Sequence, residues 1–520
     1  MPSATASSTR SSAGSEAAAS TKWLAPLMVL IAGSFLPPMD SAIVNVPIPH
    51  IQKDLGGGVD DVAWISTAYS LGLAVFVPLS NWLTDKFGLT RVHRAALIGF
   101  LIGSGLCGLA WDLNSLIAFR VLTAIPGSLV PVVTIAMIYR IVPARNIGSA
   151  MGLYGLGVIV APSMGPTLGG LIVQDLSWRW IFLFKEPIGV AAVVAGLFLI
   201  PKLDGIGKPG KFDKWGYLTF AYGLSALIVV SAKGQKWHWD SYLVMILATS
   251  AVLSLALFAV IENEVANPLI DLRIFRCWPF VNSLLLIGLL LIMLFGVAYY
   301  IPQFMQNVQG LDAHNAGMVL LPLGLLMVVA VPIAGRLYDR IGPRWVALAG
   351  MLGSIVGLSL LAGGIGPDMT RTQAAVWVMI AMMGGALGMM PIMTNGLSWL
   401  PPHLVGYGGA MNNVMQRAAS ALGVAVVGVI VSRSGAQLAA DMGAMQNTST
   451  LPQLRDADQS ALLSVYTKSQ NQVQAMADGD AFVITTWLAV LAALLVLMLK
   501  KPPLRTPRPV PIGDDSPVGA

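Results

Sequence analysis

The chain has 520 residues, 56% hydrophobic and only 11% charged, with a mean hydropathy of +0.73 and a formal net charge of +6. Soluble domains carry roughly a quarter charged residues, so this composition excludes a water-soluble globular protein and identifies an integral membrane protein. The basic excess does not point to nucleic acid, because Lys and Arg sit in short connections between apolar runs, where they set membrane orientation.

Residues 1–21, rich in Ser, Ala and Thr, read as a disordered tail. The apolar run 23–49 exceeds the h-region of a signal peptide and contains Asp40, so it reads as a retained first span. Fourteen runs long enough to cross a bilayer follow one another, near 23–49, 62–82, 92–111, 114–139, 147–173, 179–201, 215–232, 241–261, 279–303, 316–336, 344–364, 374–400, 406–432 and 481–500. Alternate connections are basic, which with an even number of spans puts both termini in the cytoplasm. The fold expected is all-α, a polytopic membrane protein. A six-helix bundle spans 22–202, an inserted helix pair 203–277 and a second six-helix bundle 278–500, with 433–480 as a long external loop and 501–520 as a tail. Within that loop, 461–476 has an amphipathic pattern.

Two features bear on movement. Asn81-Trp-Leu-Thr-Asp85-Lys86-Phe-Gly88, after span 2, is echoed by Gly335-Arg-Leu-Tyr-Asp339-Arg340-Ile-Gly342, after span 10. Each reads as a loop with an acid, a base and a turn glycine, which is the mark of two homologous halves around a central site. In span 5, Gly157, Ala161, Gly165 and Gly169 recur every fourth residue, with Pro162, Pro166 and Gly170 one step behind. Small residues at that spacing let helix backbones approach closely, and a bilayer tolerates the prolines. The expectation is a bent helix at a moving interface.

Ionisable residues inside a membrane are functional candidates by default. Asp40, behind Pro37 and Pro38, is either a proton carrier or a structural acid paired with a base such as Arg120 in span 4. Lys185 and Glu186 are adjacent in span 6 and so face different partners. Lys185 can snorkel to the surface, and Glu186 is a second proton or cation site. Asn412, Asn413 and Gln416 form a polar face in span 13 that lines a cavity or glues helices. Asn45 reads as a packing polar. Trp64, Tyr69 and Tyr299 are belt anchors or stacking surfaces for a ligand. Gln303, Gln306 and Met390 complete the candidate substrate set, methionine being an adaptable apolar surface. Phosphate-binding loop, serine-hydrolase elbow and zinc-protease signatures are absent from the sequence, and the two cysteines, Cys107 and Cys277, do not make a metal-ligand spacing.

Together these motifs resemble the major facilitator superfamily, specifically its fourteen-span drug:proton antiporter branch (EmrB/QacA-type exporters). The stretch Met39-Asp40 to Pro49 is similar to that branch's span-1 motif, Gly157–Gly170 to its span-5 motif, Trp178-Arg-Trp180 with Pro187-Ile-Gly189 to its span-6 entry, and Asn267-Pro to Phe275 to its loop before span 9. The sequence departs at Asn81, at Leu89-Thr90, at Thr123, Ala124 and Pro126 near Arg120, at Lys185-Glu186, and in the order Gln416-Arg417. The resemblance implies a non-enzymatic transporter of the inner cell membrane without cofactor or metal. It would export amphipathic or cationic compounds by alternating-access exchange for protons, with coupling through Asp40; Arg120 and Glu186 join it as coupling candidates on their position inside spans alone. It further implies a small-molecule substrate and, for some members, a periplasmic adaptor and outer-membrane channel. A dedicated exporter of a metabolite or siderophore and a non-transporting sensor of the same fold are the alternatives.

Overall fold

The computed structural model describes residues 23–44, 47–203, 210–234, 237–311, 313–366, 368–449 and 459–501. Among the described residues every regular element is helical. The first half contains α1 (Leu24–Ile43), α2 (Ile48–Leu55), α3 (Val59–Phe76), α4 (Leu79–Phe87), α5 (Leu89–Gly108), α6 (Leu113–Ile141), α7 (Ile147–Asp175), α8 (Trp180–Leu183) and α9 (Glu186–Leu199). An inserted pair follows, α10 (Lys214–Lys233) and α11 (Tyr242–Glu264). The second half contains α12 (Trp278–Asn307), α13 (Ala313–Met318), α14 (Leu321–Ile341), α15 (Pro343–Gly364), α16 (Arg371–Ala381), α17 (Met383–Trp399), α18 (Val405–Ser449) and α19 (Gln459–Leu497).

Among the described residues ten helical units are long and apolar enough to span a membrane, and α3 with α4, bent by 55° at Val77-Pro78, make an eleventh. The further long helices α5, α7 and α14 make the order compatible with the fourteen spans expected. Local chemistry fixes many of the ends. Asp112 and Ser115 form a reciprocal capping box at α6, Asp213 accepts from Gly216 N at α10, and Thr370 with Gln373 caps α16. Gly88 and Gly342 end α4 and α14 at φ +85° and +87°, a conformation that favours glycine, and each N–H returns to the carbonyl four residues back. The repeat is therefore a repeat of structure, but its acids and bases ride on the last helical turn instead of in a loop.

The second difference from expectation is at 433–480. α18 continues to Ser449 and α19 already begins at Gln459, so most of the expected external loop is helix. The segment is polar but rich in Ala, Gln, Leu and Met, which have high helix propensity, and a polar composition was mistaken for an irregular one. The 461–476 stretch read as amphipathic lies within α19.

α1 packs on α7, α3 and α5 on α6, and in the second half α12 packs on α17 and α18, and α15 on α17 and α19. α10 and α11 pair with each other, and α10 also touches α3 and α18. The largest buried cluster crosses from one half to the other, with Leu27, Val132 and Met151 joining Leu284, Leu397 and Val405.

Candidate functional site

Two places concentrate buried polar chemistry. The first lies inside the first bundle. Proline at 37 and 38 interrupts donors in α1 where Asp40 follows. Lys185 occupies the break between α8 and α9, ahead of Pro187, which fits a helix start. Arg120 comes from the middle of α6. All three side chains are buried. Arg120 Nη1 donates to Asp40 Oδ2 and Lys185 Nζ donates to Asp40 Oδ1. Arg120 Nε also donates to Ile65 O at 3.3 Å, and its guanidinium lies 3.7 Å from the centre of the Tyr69 ring. Phe100 and Phe182 stand 5.7 and 5.5 Å from Lys185 Nζ. The rings supply cation–π attraction in place of water. One carboxylate thus serves two cations, and the cluster carries a net positive charge.

This corrects the expectation for Lys185. Instead of snorkelling to the surface it turns inward, because a carboxylate and two aromatic faces are within reach and the helix break aims it there. Arg120 is the partner of Asp40 that the sequence allowed. Glu186 is half-buried, with Oε1 buried and without a hydrogen-bond partner among the described residues. It stands within electrostatic reach of Lys185 and Asp40.

The second place is the seam between the bundles. Asp339, at the end of α14, accepts from Gly148 N at 2.9 Å, Ser149 N at 2.8 Å and Ser149 Oγ at 2.5 Å, the first residues of α7. The carboxylate of one bundle therefore caps a helix of the other, where unsatisfied N–H groups and the positive end of the helix dipole favour an anion. The backbones touch here: a Cβ on Gly335 would lie 2.6 Å from Gly148 O and 2.9 Å from Gly152 Cα. Tyr139 Oη donates to Thr394 O at 2.9 Å across the same seam. The first copy of the repeat lies against the start of α18. Asp85 is within electrostatic reach of Tyr407, and a Cβ on Gly406 would lie 2.8 Å from Asn81 Oδ1. Lys86 and Arg340 are exposed, and Lys86 lies over the Trp82 ring at 4.7 Å.

The span-5 glycines do a different job from the one expected of them. Gly157 and Gly165 pack on α1, a Cβ at Gly165 lying 2.9 Å from Ala42 Cβ, whereas the contact between bundles is made earlier, by Gly148, Gly152 and Gly155. Gly169 is buried and Gly170 has open space. Asn45 and the side chains of Ala161, Pro162 and Pro166 lie outside the described residues.

The expected substrate set separates. Tyr69 is buried on Arg120. Asn412 is buried with Oδ1 unpartnered, and Gln416 Nε2 reaches only Met393 Sδ, at 3.9 Å. Met390 is buried against Gly155 at the seam. Asn413 donates back to Gly409 O of its own helix at 3.1 Å, and Gln306 to Pro302 O at 3.2 Å. Trp64, Tyr299 and Gln306 are exposed and Gln303 is half-buried, so none of these joins the buried groups. Reasoning from sequence missed Asn395, whose amide is fully buried with both polar atoms unpartnered, and Arg417 as a member of the site. The reversed Gln416-Arg417 order was the available signal for Arg417.

Known proteins agree with this architecture. The chain is 28% identical over 518 residues to the tetracenomycin C resistance and export protein of Streptomyces glaucescens, covering 94% of each. It is 30% identical over 401 residues to the multidrug export protein EmrB of Escherichia coli K12, covering 77% of this chain and 78% of that one. Its fold is that of a solved proton:xylose symporter, XylE, at a TM-score of 0.60 and 13% identity, over 93% of this chain and 97% of that chain. Residues 30–424 match the Major Facilitator Superfamily as a whole, and the chain is a non-enzymatic membrane transporter belonging to that superfamily.

Proposed function

We propose that the chain is a proton-coupled exporter of amphipathic compounds working by alternating access in the inner cell membrane, with both termini cytoplasmic. The observation that carries this reading is a buried charge cluster, Asp40 with Arg120 and Lys185, inside a chain whose relatives are named as export proteins. A proton on Asp40 would remove the charge that both cations face, so proton occupancy and the packing of α1, α6 and α9 are linked. Reciprocal linkage then turns a proton gradient into substrate movement. With the basic end in the cytoplasm, the contact of Asp339 with Gly148 and Ser149 would close the cytoplasmic side of this seam. The resistance and export roles named for the relatives support the substrate class.

The test is substrate flux in proteoliposomes under an imposed pH gradient. The gradient should drive accumulation in the wild type, and Asp40→Asn and Glu186→Gln should lower it. Flux that ignores the gradient would remove the coupling. The helical extensions of α18 and α19 either receive a periplasmic adaptor or stand alone, and co-purification of chains with and without residues 441–469 separates the two.

A further inference from the structure

We infer that Arg417 is the centre of an anion site on the side of the second bundle that meets the first, and that among amphipathic compounds the protein selects those bearing a carboxylate or comparable oxyanion. This rests on the export reading above and adds the sign of charge. Arg417 lies on α18 of the second bundle, half-buried, and its Nε is buried without a hydrogen-bond partner. Among the described residues it makes no ion pair. Its helix touches α3 of the first bundle, the helix of Tyr69, whose ring carries Arg120 on its face.

The charges in this region are three cations, Arg120, Lys185 and Arg417, against Asp40 and Glu186. The total is positive whether or not Glu186 holds a proton. Both oxygens of Asp40 are already engaged, which leaves Glu186 as the one carboxylate of this group open to a cationic ligand, against three cations. Arg417, in contrast, offers the planar fork that matches a carboxylate in a bidentate pair.

Its surroundings fit the rest of such a ligand. α17 and α18 run antiparallel: Met393 meets Gln416, and Leu397 meets the Gly408 position. Between these two contacts on α18 lies Asn412, buried with Oδ1 unpartnered among the described residues. Methionine sulfur beside an unpaired amide oxygen gives an adaptable apolar wall with a polar point.

The experiment measures binding to the full-length protein in detergent with three probes that differ only in the head group: 6-(2-naphthyl)hexanoate, its primary amide, and 6-(2-naphthyl)hexylamine. A hydrogen-bonded charge pair is worth about 10- to 100-fold in affinity. The carboxylate should bind tighter than the amide by that factor, with the amine weakest. Arg417→Gln should erase the difference, and Arg417→Lys should keep its sign with a smaller magnitude. Equal binding of carboxylate and amide, binding of none of the three, or a preference that survives in a folded Arg417→Gln protein would overturn the proposal. The wild-type series decides even where a variant does not fold. No membrane or gradient is present, so charge selectivity without gradient-driven flux would strike the export reading and leave the anion site standing.

Discussion

Asp339→Ala removes the carboxylate that closes the seam. Three donors lose their acceptor, Gly148 N, Ser149 N and Ser149 Oγ, and the N-terminus of α7 loses its facing charge. Loss of a helix cap costs about 0.5–2 kcal/mol. Loss of a charge at a partly buried helix end costs about 0.3–2 kcal/mol. Because the two groups belong to different bundles, the combined loss, about 2–3 kcal/mol, falls on the seam-closed conformation and not on either bundle. At about 1.4 kcal/mol per tenfold, the balance between facings should move by roughly 30- to 150-fold. Spin labels at the exposed positions Arg145 and Arg344, one in each half, with Cys107 and Cys277 replaced, report the distance across the basic end. The wild type should show one short distance, Asp339→Ala a dominant longer one, and Ser149→Ala a smaller shift, since both backbone donors remain. An unchanged distance distribution in folded Asp339→Ala would refute the reasoning that this cap holds the facing.

Gly152→Ala should move the same distance in the same direction, because overpacking the Gly148–Gly152–Gly335 contact costs about 1–3 kcal/mol; no shift would mean the seam is slack. Asp40→Asn should be far more destabilising in thermal unfolding than Lys185→Met. It leaves two buried cations facing a neutral group, a loss of about 3–5 kcal/mol, whereas Lys185→Met keeps the Arg120–Asp40 pair; equal stabilities would contradict the shared-carboxylate arrangement. Asp54, outside the spans, accepts from Trp178 Nε1 at 2.8 Å and Arg179 Nη1 at 2.9 Å. These bonds, that from Trp178 foremost, hold its carboxyl below the usual value. A depressed pKa contributes stability above about pH 4 that is lost as pH falls through the folded value. Asp54→Asn should therefore unfold slightly earlier at neutral pH, by about 0.2–1 kcal/mol for a half-exposed pair, with the gap closing below about pH 3; a gap independent of pH would exclude the ionised pair as its source.

Much of the architecture was readable because it is written in composition and period. Apolar runs gave the helices, and the repeated acid–base–glycine motif gave the two halves, since Gly88 and Gly342 need the same backbone conformation in both. Asp40 and Arg120 were readable as partners because a membrane leaves a carboxylate few others. Lys185 was misplaced because its direction depends on a break between α8 and α9 and on rings from distant segments, none of which local spacing encodes. The seam was assigned more than two turns too late along α7. Gly157–Gly170 is the stronger pattern, but a small-residue stripe does not say which neighbour it meets, and it meets α1. The amphipathic pattern of 461–476 marked part of the helix found at 459–480, whereas helix in 433–449 was not marked, because length past the bilayer is not written in hydropathy.

The most direct test of the coupling claim reads protons instead of substrate. Proteoliposomes loaded with a pH-sensitive dye, with the membrane potential held at zero, receive a transported amphiphile from outside. Entry of the compound through wild-type protein should carry protons outward and raise the internal pH, and Asp40→Asn should leave it flat. An internal pH that stays constant while the compound crosses at its normal rate would contradict exchange.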